Sequence, residues 1–394
     1  MTDRTLRILH VAYYYLPWLG YDVGLAQAQN DLGHETLFAA SNRIPDLRKS
    51  RNEQSSEYPC QVDNVSLWTL VFGSRIILMP GIVRILFRFR PRVVHCHVVF
   101  DLTAVLIALM KPFLKYRLIY CSHTSYLNTD TRGSFWRRLI YSVFNRTCGK
   151  IIVSQSDHLV AVGENEATML EENLSVNGNN VRIVRLGASA KYFELNHKHR
   201  TNARKSLGYN NSDHIIILHV GGIIPEKRLQ DLLRAVEMAR HENDNLQILI
   251  TGGGDQSYIK SLIDLARELN IQDITRINGE YISKKELLQH YAASDIGVWP
   301  AAITISTIEA IASGLPLIVK SNDIYTGFLT SNKNGYRVTV GDVNSLKTAI
   351  LEIANNTQLR NAMGKSSRDL AVAEFHWSSI AKRFLELYEP SNHS

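Results

Sequence analysis

The segment 299–320 holds the residues whose types and spacing most clearly suggest chemistry. It reads as a loop, a short helix, a tight turn and a buried strand, with Thr304 or Ser306 capping the helix. The free amides and the positive dipole end of such a helix start form a site for a phosphate group. Glu309 lies one turn inside the helix. Because Ser306-x-x-Glu309 is also a capping-box pattern, the spacing alone favours a purely structural role for Glu309.

A second candidate phosphate-binding element follows the strand-like run 215–218. Gly221 and Gly222 lead into a helical pattern, in which Pro225 suits the first turn and Lys227 lies beside the free amides of that turn. An ammonium group there opposes the helix dipole, which makes sense if an anion binds between them. A solvated surface lysine is the alternative interpretation of Lys227.

Together these segments resemble the nucleotide-sugar half of the retaining GT-B glycosyltransferases of family 4, the glycosyl transferases group 1. In that family a Gly-(Arg/Lys)-(Leu/Ile)-x-Pro-x-Lys segment holds the donor pyrophosphate, and a Glu-x7-Glu segment holds the sugar and the ribose. The resemblance implies that Lys227 binds the pyrophosphate and that Glu309 is the second glutamate. Two positions depart from the pattern: Gly222 stands where a cation usually lies, and Ala301 stands in place of the first glutamate.

These departures leave more than one function open. A variant active site is the favoured interpretation, because Thr304 and Ser306 keep hydrogen-bonding groups in the loop and backbone amides carry much of the phosphate binding in such loops. A GT-B-shaped binding or regulatory protein that has lost turnover is one alternative. A sugar-nucleotide epimerase of similar shape is another, and it would form product without an acceptor.

The N-terminal half begins with the strand-like Leu6–Ala12, a turn-rich loop that contains Gly20, and a helix with Leu25, Ala28 and Leu32 on one face. This order opens a doubly wound α/β domain, in which ligands gather at the carboxyl ends of the strands. His123 falls at the carboxyl end of a later strand. By the resemblance, His123 contacts the donor sugar or the transition-state charge, whereas the residues alone favour a histidine satisfied by loop carbonyls.

Metal chemistry is not expected from the sequence. His95 and His97 lie on one face of a strand, but no carboxylate or cysteine arrangement visible in the sequence completes a metal site. The Asp-x-Asp motif that metal-using glycosyltransferases of the other major fold normally show does not occur. We therefore expect neither a metal nor a cofactor, with a nucleotide sugar as donor substrate. The charge on the departing diphosphate must then be met by Lys227 and the amides that precede Glu309.

The remaining predicted donor contacts also come from the resemblance. Glycine-rich turns after strands let a ligand approach the backbone, which places Gly253 near the nucleoside and Tyr281 beside the base. The predicted catalytic residues are His123 and Lys227. The predicted donor-binding residues are Gly20, Gly221, Gly222, Lys227, Gly253, Tyr281, Thr304, Ile305, Ser306 and Glu309.

The length of 394 residues exceeds what one core usually holds, and α/β alternation persists to the end of the chain. With the resemblance, this predicts an α/β protein of the GT-B fold, with two Rossmann-like doubly wound domains facing a central cleft. We expect an acceptor-side domain at 1–195 and a nucleotide-sugar-binding domain at 196–375. Residues 376–394 are expected to form a helix that crosses back to the N-terminal domain.

Basic residues are concentrated between positions 65 and 150, with 13 Lys and Arg against 2 Asp and Glu. Over 74–90 and 135–140 arginines alternate with large apolar residues. This pattern favours peripheral attachment to an anionic membrane face, where a lipid-linked acceptor would lie, although an ordinary helix with a solvated basic face fits equally well. No nucleic-acid partner is expected, because the sequence has no recognition element and no polar stacking surface.

The four cysteines lack metal or redox spacing, the first residues lack the apolar core of a signal peptide, and charges interrupt every long apolar run. We expect a cytoplasmic protein, with peripheral attachment to the inner face of the cell membrane as an open question. The predicted function is transfer of a sugar from a nucleotide-sugar donor to a glycan or lipid-linked acceptor. We expect this transfer to serve cell-surface polysaccharide or glycolipid synthesis. We also expect retention of the anomeric configuration.

Overall fold

The structure is a computed structural model that describes residues 5–13, 21–42, 62–72, 76–98, 100–123, 135–176, 180–301, 304–321, 329 and 333–389. The chain forms two compact units. The N-terminal unit comprises Met1–Gly187 together with Trp377–Ser394, and the C-terminal unit comprises Ala188–His376.

The N-terminal unit contains a parallel sheet of seven strands in the order β3-β2-β1-β6-β7-β8-β9. The direction of winding reverses between β1 and β6, which makes this the switch point of the sheet. The strands are β1 (Arg7–Ala12), β2 (Glu35–Ser41), β3 (Asp63–Leu67), β6 (Val93–Cys96), β7 (Arg117–Ser122), β8 (His158–Ala161) and β9 (Val181–Ile183). A separate antiparallel pair consists of β4 (Leu70–Phe72) and β5 (Ile76–Leu78).

The helices of this unit are α1 (Tyr21–Asp31), α2 (Ile82–Phe89), α3 (Leu102–Leu114), α4 (Phe135–Gln155), α5 (Glu164–Leu174) and the last helix of the chain, α14 (Trp377–Tyr388). Helix α14 packs on α1, where Leu25 and Ala28 share a buried cluster with Phe384. The expectation for Leu32 is wrong, because α1 ends at Asp31 and Leu32 is exposed.

The C-terminal unit contains a parallel sheet of six strands in the order β12-β11-β10-β13-β14-β15. Numbered by appearance within the unit, this is the 3-2-1-4-5-6 order of dinucleotide-binding folds, with its switch point between β10 and β13. The strands are β10 (Ile215–Val220), β11 (Leu246–Thr251), β12 (Thr275–Asn278), β13 (Ile296–Trp299), β14 (Leu317–Lys320) and β15 (Gly335–Val338). The predicted α/β class with two doubly wound sheets is confirmed.

The helices of the C-terminal unit flank this sheet. They are α6 (Ala190–Phe193), α7 (His197–Ser206), α8 (Leu229–Arg240), α9 (Gln256–Glu268), α10 (Lys284–Ala293), α11 (Ile305–Ala312), α12 (Val343–Asn355) and α13 (Thr357–Glu374), with a 3₁₀ turn at Pro225–Lys227. In the part of the chain that the structure describes, no helix of either unit combines the length and the apolar composition that a membrane crossing requires.

The pattern of burial explains why β10 is a strand and α8 is a helix. All six residues of β10 are buried, as expected for a strand covered on both faces by helices. Helix α8 then lays Leu229, Leu232, Leu233 and Val236 on the sheet, and each of them is fully buried. The apolar periodicity of 3.6 residues in α8 and the continuous apolar run in β10 therefore fix the βα unit that carries the first candidate loop.

The first division between the units falls before residue 195, the end of the predicted N-terminal domain. Residues 188–195 belong to the C-terminal unit because Ala188 pairs with His376, and the guanidinium of Arg368 donates to the carbonyl oxygens of Phe193 and Leu195.

Candidate functional site

Two glycine-rich loops run side by side at the carboxyl ends of β10 and β11. The amide of Gly221 donates to the carbonyl of Thr251 at 3.0 Å, and the amide of Ile223 donates to the carbonyl of Gly253 at 3.1 Å. A Cβ atom added to Gly252, which has a φ of +143°, would lie 2.1 Å from the carbonyl oxygen of Gly221. The close contact of the two backbones therefore requires glycine, and glycine lets a ligand approach the backbone of these loops.

Lys227 ends the 3₁₀ turn and does not lie in the first turn of α8 as expected. Arg228, with a φ of +51°, separates the turn from α8, and its guanidinium donates to Asp231 at 2.6 Å. Lys227 is only 9% exposed and forms no ion pair with any carboxylate of the described residues. Burial, and then the positive charge of Lys320, lower the pKa of Lys227 to about 8. A buried ammonium group beside a second cation is the environment that an anion would stabilise.

The start of α11 is capped differently from the sequence interpretation. Thr304 is the N-cap, and its backbone amide donates to Thr307 Oγ1 at 3.3 Å. Ser306 is therefore the second helical residue and Glu309 the fifth, so a Ser306–Glu309 capping box does not form and that explanation of Glu309 is wrong. The amides of Ile305 and Ser306 belong to the first turn, where a helix supplies no carbonyl partner.

Ser306 ties this helix start to the strand that precedes Lys227. Its hydroxyl donates to the carbonyl of Val220 at 2.6 Å and accepts from Trp299 Nε1 at 3.1 Å. The same hydroxyl lies 4.0 Å from the Cβ position that Gly221 lacks. The loop after β10 and the N-terminus of α11 therefore meet at the switch point between β10 and β13.

Glu309 lies on the side of α11 that faces α10. Tyr291 Oη lies 3.0 Å from Glu309 Oε2 and 2.9 Å from the carbonyl oxygen of Ser306. Burial raises the pKa of the Glu309 carboxyl group, opposed by hydrogen bonds from Tyr291 and Tyr192 and by the charge of Lys284. Burial lowers the pKa of Lys284 to about 8, while Glu309 acts in the opposite direction. Glu309 is therefore a carboxylate held by tyrosines and a lysine, not a helix cap.

Tyr281 provides an open aromatic surface next to the glycine loops. Its side chain is 68% exposed, and a Cβ atom on Gly253 would lie 2.5 Å from its ring. The ring thus contacts the backbone of Gly253, where a planar base could stack on the exposed part. Among the described residues, a Cβ atom on Gly222 would meet only the Gly253 carbonyl oxygen, at 3.9 Å. With glycine in place of the family's cation, no described side chain fills the space beside this part of the loop.

Lys320 and His219 lie near these loops as well, and neither was predicted as a site residue. Val319 pairs with Trp299, so Lys320 follows directly at the carboxyl end of β14, on the same side of the sheet as the glycine-rich loops. His219 is fully buried on β10, and its Nδ1 lies 2.8 Å from the carbonyl oxygen of Val298, whereas its Nε2 has no hydrogen-bond partner in the described residues. The sequence signal for Lys320 was that a charged residue ends an apolar strand.

His123, the candidate of the N-terminal half, lies beside other histidines. Its Nε2 is 3.2 Å from Nδ1 of His97. The potential metal-ligand atoms of His97, Cys121 and His123 lie within 4.8 Å of one another, and so do those of His10, His95 and His97. The expectation that no cysteine accompanies the histidines is therefore wrong, because Cys121 is contributed by the neighbouring strand.

Two predicted features lie outside the part of the chain that the structure describes. Gly20 lies outside the described residues, and so do the side chains of 135–142, which include the second arginine-rich stretch. The donor contact of Gly20 stays a prediction. The structure thus brings Gly221, Gly222, Gly253, Tyr281, Lys227, Thr304, Ile305, Ser306 and Glu309 to the carboxyl edge of one sheet, while His123 lies in the other unit.

Two doubly wound parallel units, one of them with glycine-rich loops and a helix N-terminus at its switch point, are typical of the GT-B class of fold. The solved structure of Anabaena Alr3699/HepE in complex with UDP has the same fold, with a TM-score of 0.74 and 14% identity over 97% of this chain and 99% of that chain. The model for glycosyl transferases group 1 matches residues 200–370, and that for Glycosyltransferase Family 4 matches residues 23–192. The chain belongs to these GT-B glycosyltransferases.

Two curated relatives show how far the similarity extends. A D-inositol 3-phosphate glycosyltransferase of Corynebacterium kroppenstedtii is 28% identical over 253 residues, which is 62% of this chain and 55% of the relative. A GDP-mannose-dependent alpha-(1-6)-phosphatidylinositol monomannoside mannosyltransferase of Mycobacterium tuberculosis is 25% identical over 174 residues, 42% of this chain and 44% of the relative. The chain thus spans about half the length of these relatives.

Proposed function

We propose that this protein transfers a sugar from a nucleotide-sugar donor to a hydroxyl group of a glycan or lipid-linked acceptor. The observation that carries the proposal is the buried Lys227 ammonium group, which forms no ion pair with a carboxylate of the described residues and lies on the same sheet edge as the N-terminus of α11. A diphosphate would meet both positive elements at the switch point of the C-terminal unit.

The electrostatics of the site suit a diphosphate leaving group. Negative charge grows on the diphosphate as the glycosidic bond to the donor breaks, and Lys227, Lys320 and the first-turn amides of α11 would stabilise it without a metal. Lys320 would supply the second cation that Gly222 lacks. Glu309 would accept hydrogen bonds from the ribose, and Tyr281 would stack on the base. Family resemblance supports retention, with the leaving phosphate taking the proton of the acceptor.

The relatives support the proposed substrate classes. The HepE structure contains UDP, and the two curated relatives are named for inositol phosphate and phosphatidylinositol mannoside acceptors. A polyol phosphate or a lipid-linked polyol is therefore the acceptor class to test first, in glycolipid or cell-surface polysaccharide synthesis.

Thermal stabilisation by a panel of nucleotide sugars tests the donor assignment. A matching donor at a hundredfold excess over its Kd should raise the unfolding free energy by about 2.7 kcal/mol, and the free sugar should have no effect. The best donor is then incubated with inositol phosphate and glycan acceptors. Transfer supports the proposal, binding without single-turnover transfer indicates the regulatory alternative, and conversion of the donor without any acceptor indicates an epimerase.

Helix α2 supports peripheral binding to an anionic membrane at the cytoplasmic face. Ile82 and Leu86 are buried, whereas Arg84, Arg88 and Phe87 are exposed, Phe87 by 54%. An aromatic ring between two arginines can enter the headgroup region while the guanidinium groups bind lipid phosphates.

Replacement of Arg84, Arg88 and Arg90 by Gln should weaken binding to anionic vesicles by about 1 kcal/mol per residue and leave nucleotide binding unchanged. Vesicle sedimentation at several salt concentrations measures this effect. Lys198, Lys260 and Lys365 are exposed lysines of the C-terminal unit, and their replacement by Gln is a control with the same change in charge. Equal losses in both triple variants, or vesicle binding that does not respond to salt, would argue against an α2 membrane face.

A further inference from the structure

Three histidines of the N-terminal unit form one continuous line of hydrogen bonds. His123 Nε2 lies 3.2 Å from His97 Nδ1, and His97 Nε2 lies 3.1 Å from His10 Nδ1. His10 Nε2 lies 2.8 Å from the side-chain oxygen of Gln29. His97 and His10 thus each use both ring nitrogens, and the line runs from the candidate donor-contacting residue into the core.

The line continues to the last helix of the chain. The Gln29 side-chain amide donates to Tyr388 Oη at 3.0 Å, and Tyr388 Oη lies 2.5 Å from His95 Nδ1. We call His123, His97, His10, Gln29, Tyr388 and His95 the histidine network. Tyr388 belongs to α14, so a residue close to the end of the chain fixes the inner end of a network that begins at β7.

The network has a direction, because a neutral imidazole has one nitrogen that donates and one that accepts. The Gln29 oxygen can only accept, so His10 Nε2 carries the proton and His10 Nδ1 accepts from His97. His97 Nε2 then carries the proton, and His97 Nδ1 accepts from His123. With its proton on Nε2, His123 keeps an unprotonated Nδ1.

Burial favours the neutral form of the inner rings. His10 and His95 are fully buried and His97 nearly so. Removal from water lowers the pKa of His95 and His97 well below the ordinary range, and the neighbouring histidines lower it further. A protonated ring would have two donors and would break the sequence of bonds on either side.

We propose that His97 and His10 are positioning residues that hold His123 in a single neutral tautomer, with Nε2 protonated and Nδ1 in the acceptor state. The inference rests on the proposed function only for the effect of this tautomer on sugar transfer. The tautomer itself does not depend on turnover.

The same atoms offer an opposing interpretation. A transition-metal ion bound by His97, Cys121 and His123 would occupy His97 Nδ1, whose lone pair accepts the bond from His123 in the network. The two arrangements exclude each other, so the metal content of the purified protein is part of the test.

Histidine-selective ¹⁵N labelling of the full chain reads the protonation of each ring nitrogen by NMR, with assignment by single His substitutions. In the parent protein we expect one His123 tautomer, with Nε2 protonated and Nδ1 unprotonated. His10→Phe keeps a ring that stacks on Phe38 but removes the acceptor two links away from His123. We expect both His123 tautomers in this variant. Gln29→Leu, which removes the final acceptor, should have the same effect and serves as a second variant if His10→Phe does not fold.

His158→Gln is the matched control, because His158 lies on β8 of the same unit outside the histidine network, and it should leave the His123 spectrum unchanged. With an active donor, His10→Phe should lower kcat on the order of tenfold and change KM less. A mixture of His123 tautomers in the parent, a protonated Nδ1, an unchanged spectrum in His10→Phe and Gln29→Leu, or one bound metal ion per chain would each overturn the proposal. Absence of transfer with every donor would count against the proposed function alone.

Discussion

Lys227→Met should lower the rate of sugar transfer on the order of 10²-fold or more, because it removes one charge partner of the departing diphosphate. Methionine keeps most of the length of the lysine side chain and suits the buried position. Since the Lys227 ammonium group is buried and no carboxylate among the described residues forms an ion pair with it, its removal should not destabilise the fold. Loss of turnover in a variant that melts at or above the temperature of the parent then reports on chemistry and not on folding.

The pH dependence of binding provides an independent measurement for Lys227. The pKa of this lysine is lowered to about 8, so in the free protein the cation is present below that pH and is lost above it. The affinity for a nucleoside diphosphate should therefore fall as the pH rises through about 8, and this step should be absent from Lys227→Met. Lys260→Met, an exposed lysine of the same unit, is the control. An unchanged rate in a folded Lys227→Met protein would contradict the assignment.

Lys320→Met should also weaken diphosphate binding, and its effect should depend on Lys227. The charge of Lys320 is one cause of the lowered pKa of Lys227, so the two groups interact electrostatically. If both bind one diphosphate, the losses in the two single variants should not add in the double variant. Additive losses measured by calorimetry with the nucleoside diphosphate would show that Lys320 acts elsewhere.

The sheet architecture could be predicted because it follows from local patterns. The apolar run of β10 and the helical spacing of α8 each reflect burial on a doubly covered sheet, so the order of strand, loop and helix was visible in the sequence. The same holds for the glycines. Gly252 and Gly253 follow an apolar strand, and close backbone contact is a common reason for glycine at such a turn.

Competition between similar local signals explains the errors at the two helix starts. Thr304 and Ser306 are both good N-caps, and only the fold decides that Ser306 bonds to the carbonyl of Val220 in the neighbouring strand. At Arg228 the backbone has a left-handed conformation. The sequence does not predict this conformation, because arginine rarely adopts it. Lys227 therefore lies in a 3₁₀ turn that is separate from α8.

Contacts between distant segments were beyond the reach of local patterns. Cys121 joins His97 through adjacent strands, and Tyr388 reaches His95 from the last helix. Lys320 follows Val319, the residue that pairs with Trp299, only because of the parallel register. Such neighbours depend on strand order, which hydrophobic periodicity does not specify.

Glu309→Ala should weaken nucleotide binding by about 1.5–3 kcal/mol, which is roughly 10- to 150-fold in Kd, because the proposed ribose hydroxyl groups lose a charged hydrogen-bond acceptor. A lost helix cap cannot account for such a change, since Thr304 and Thr307 provide the cap. The substitution should also destabilise the protein, because Lys284 then remains in a half-buried position without the carboxylate that offsets its charge.

A second substitution separates these two effects. Lys284→Met in the Glu309→Ala background removes the uncompensated ammonium group and should restore much of the melting temperature. If Glu309 binds the ribose, nucleotide affinity should stay low in this double variant. Calorimetric titration with the nucleoside diphosphate, alongside thermal unfolding of the parent, both single variants and the double variant, measures both quantities. Recovery of affinity together with stability would assign Glu309 a structural role as the partner of Lys284 and Tyr291, and would leave the ribose without an identified carboxylate.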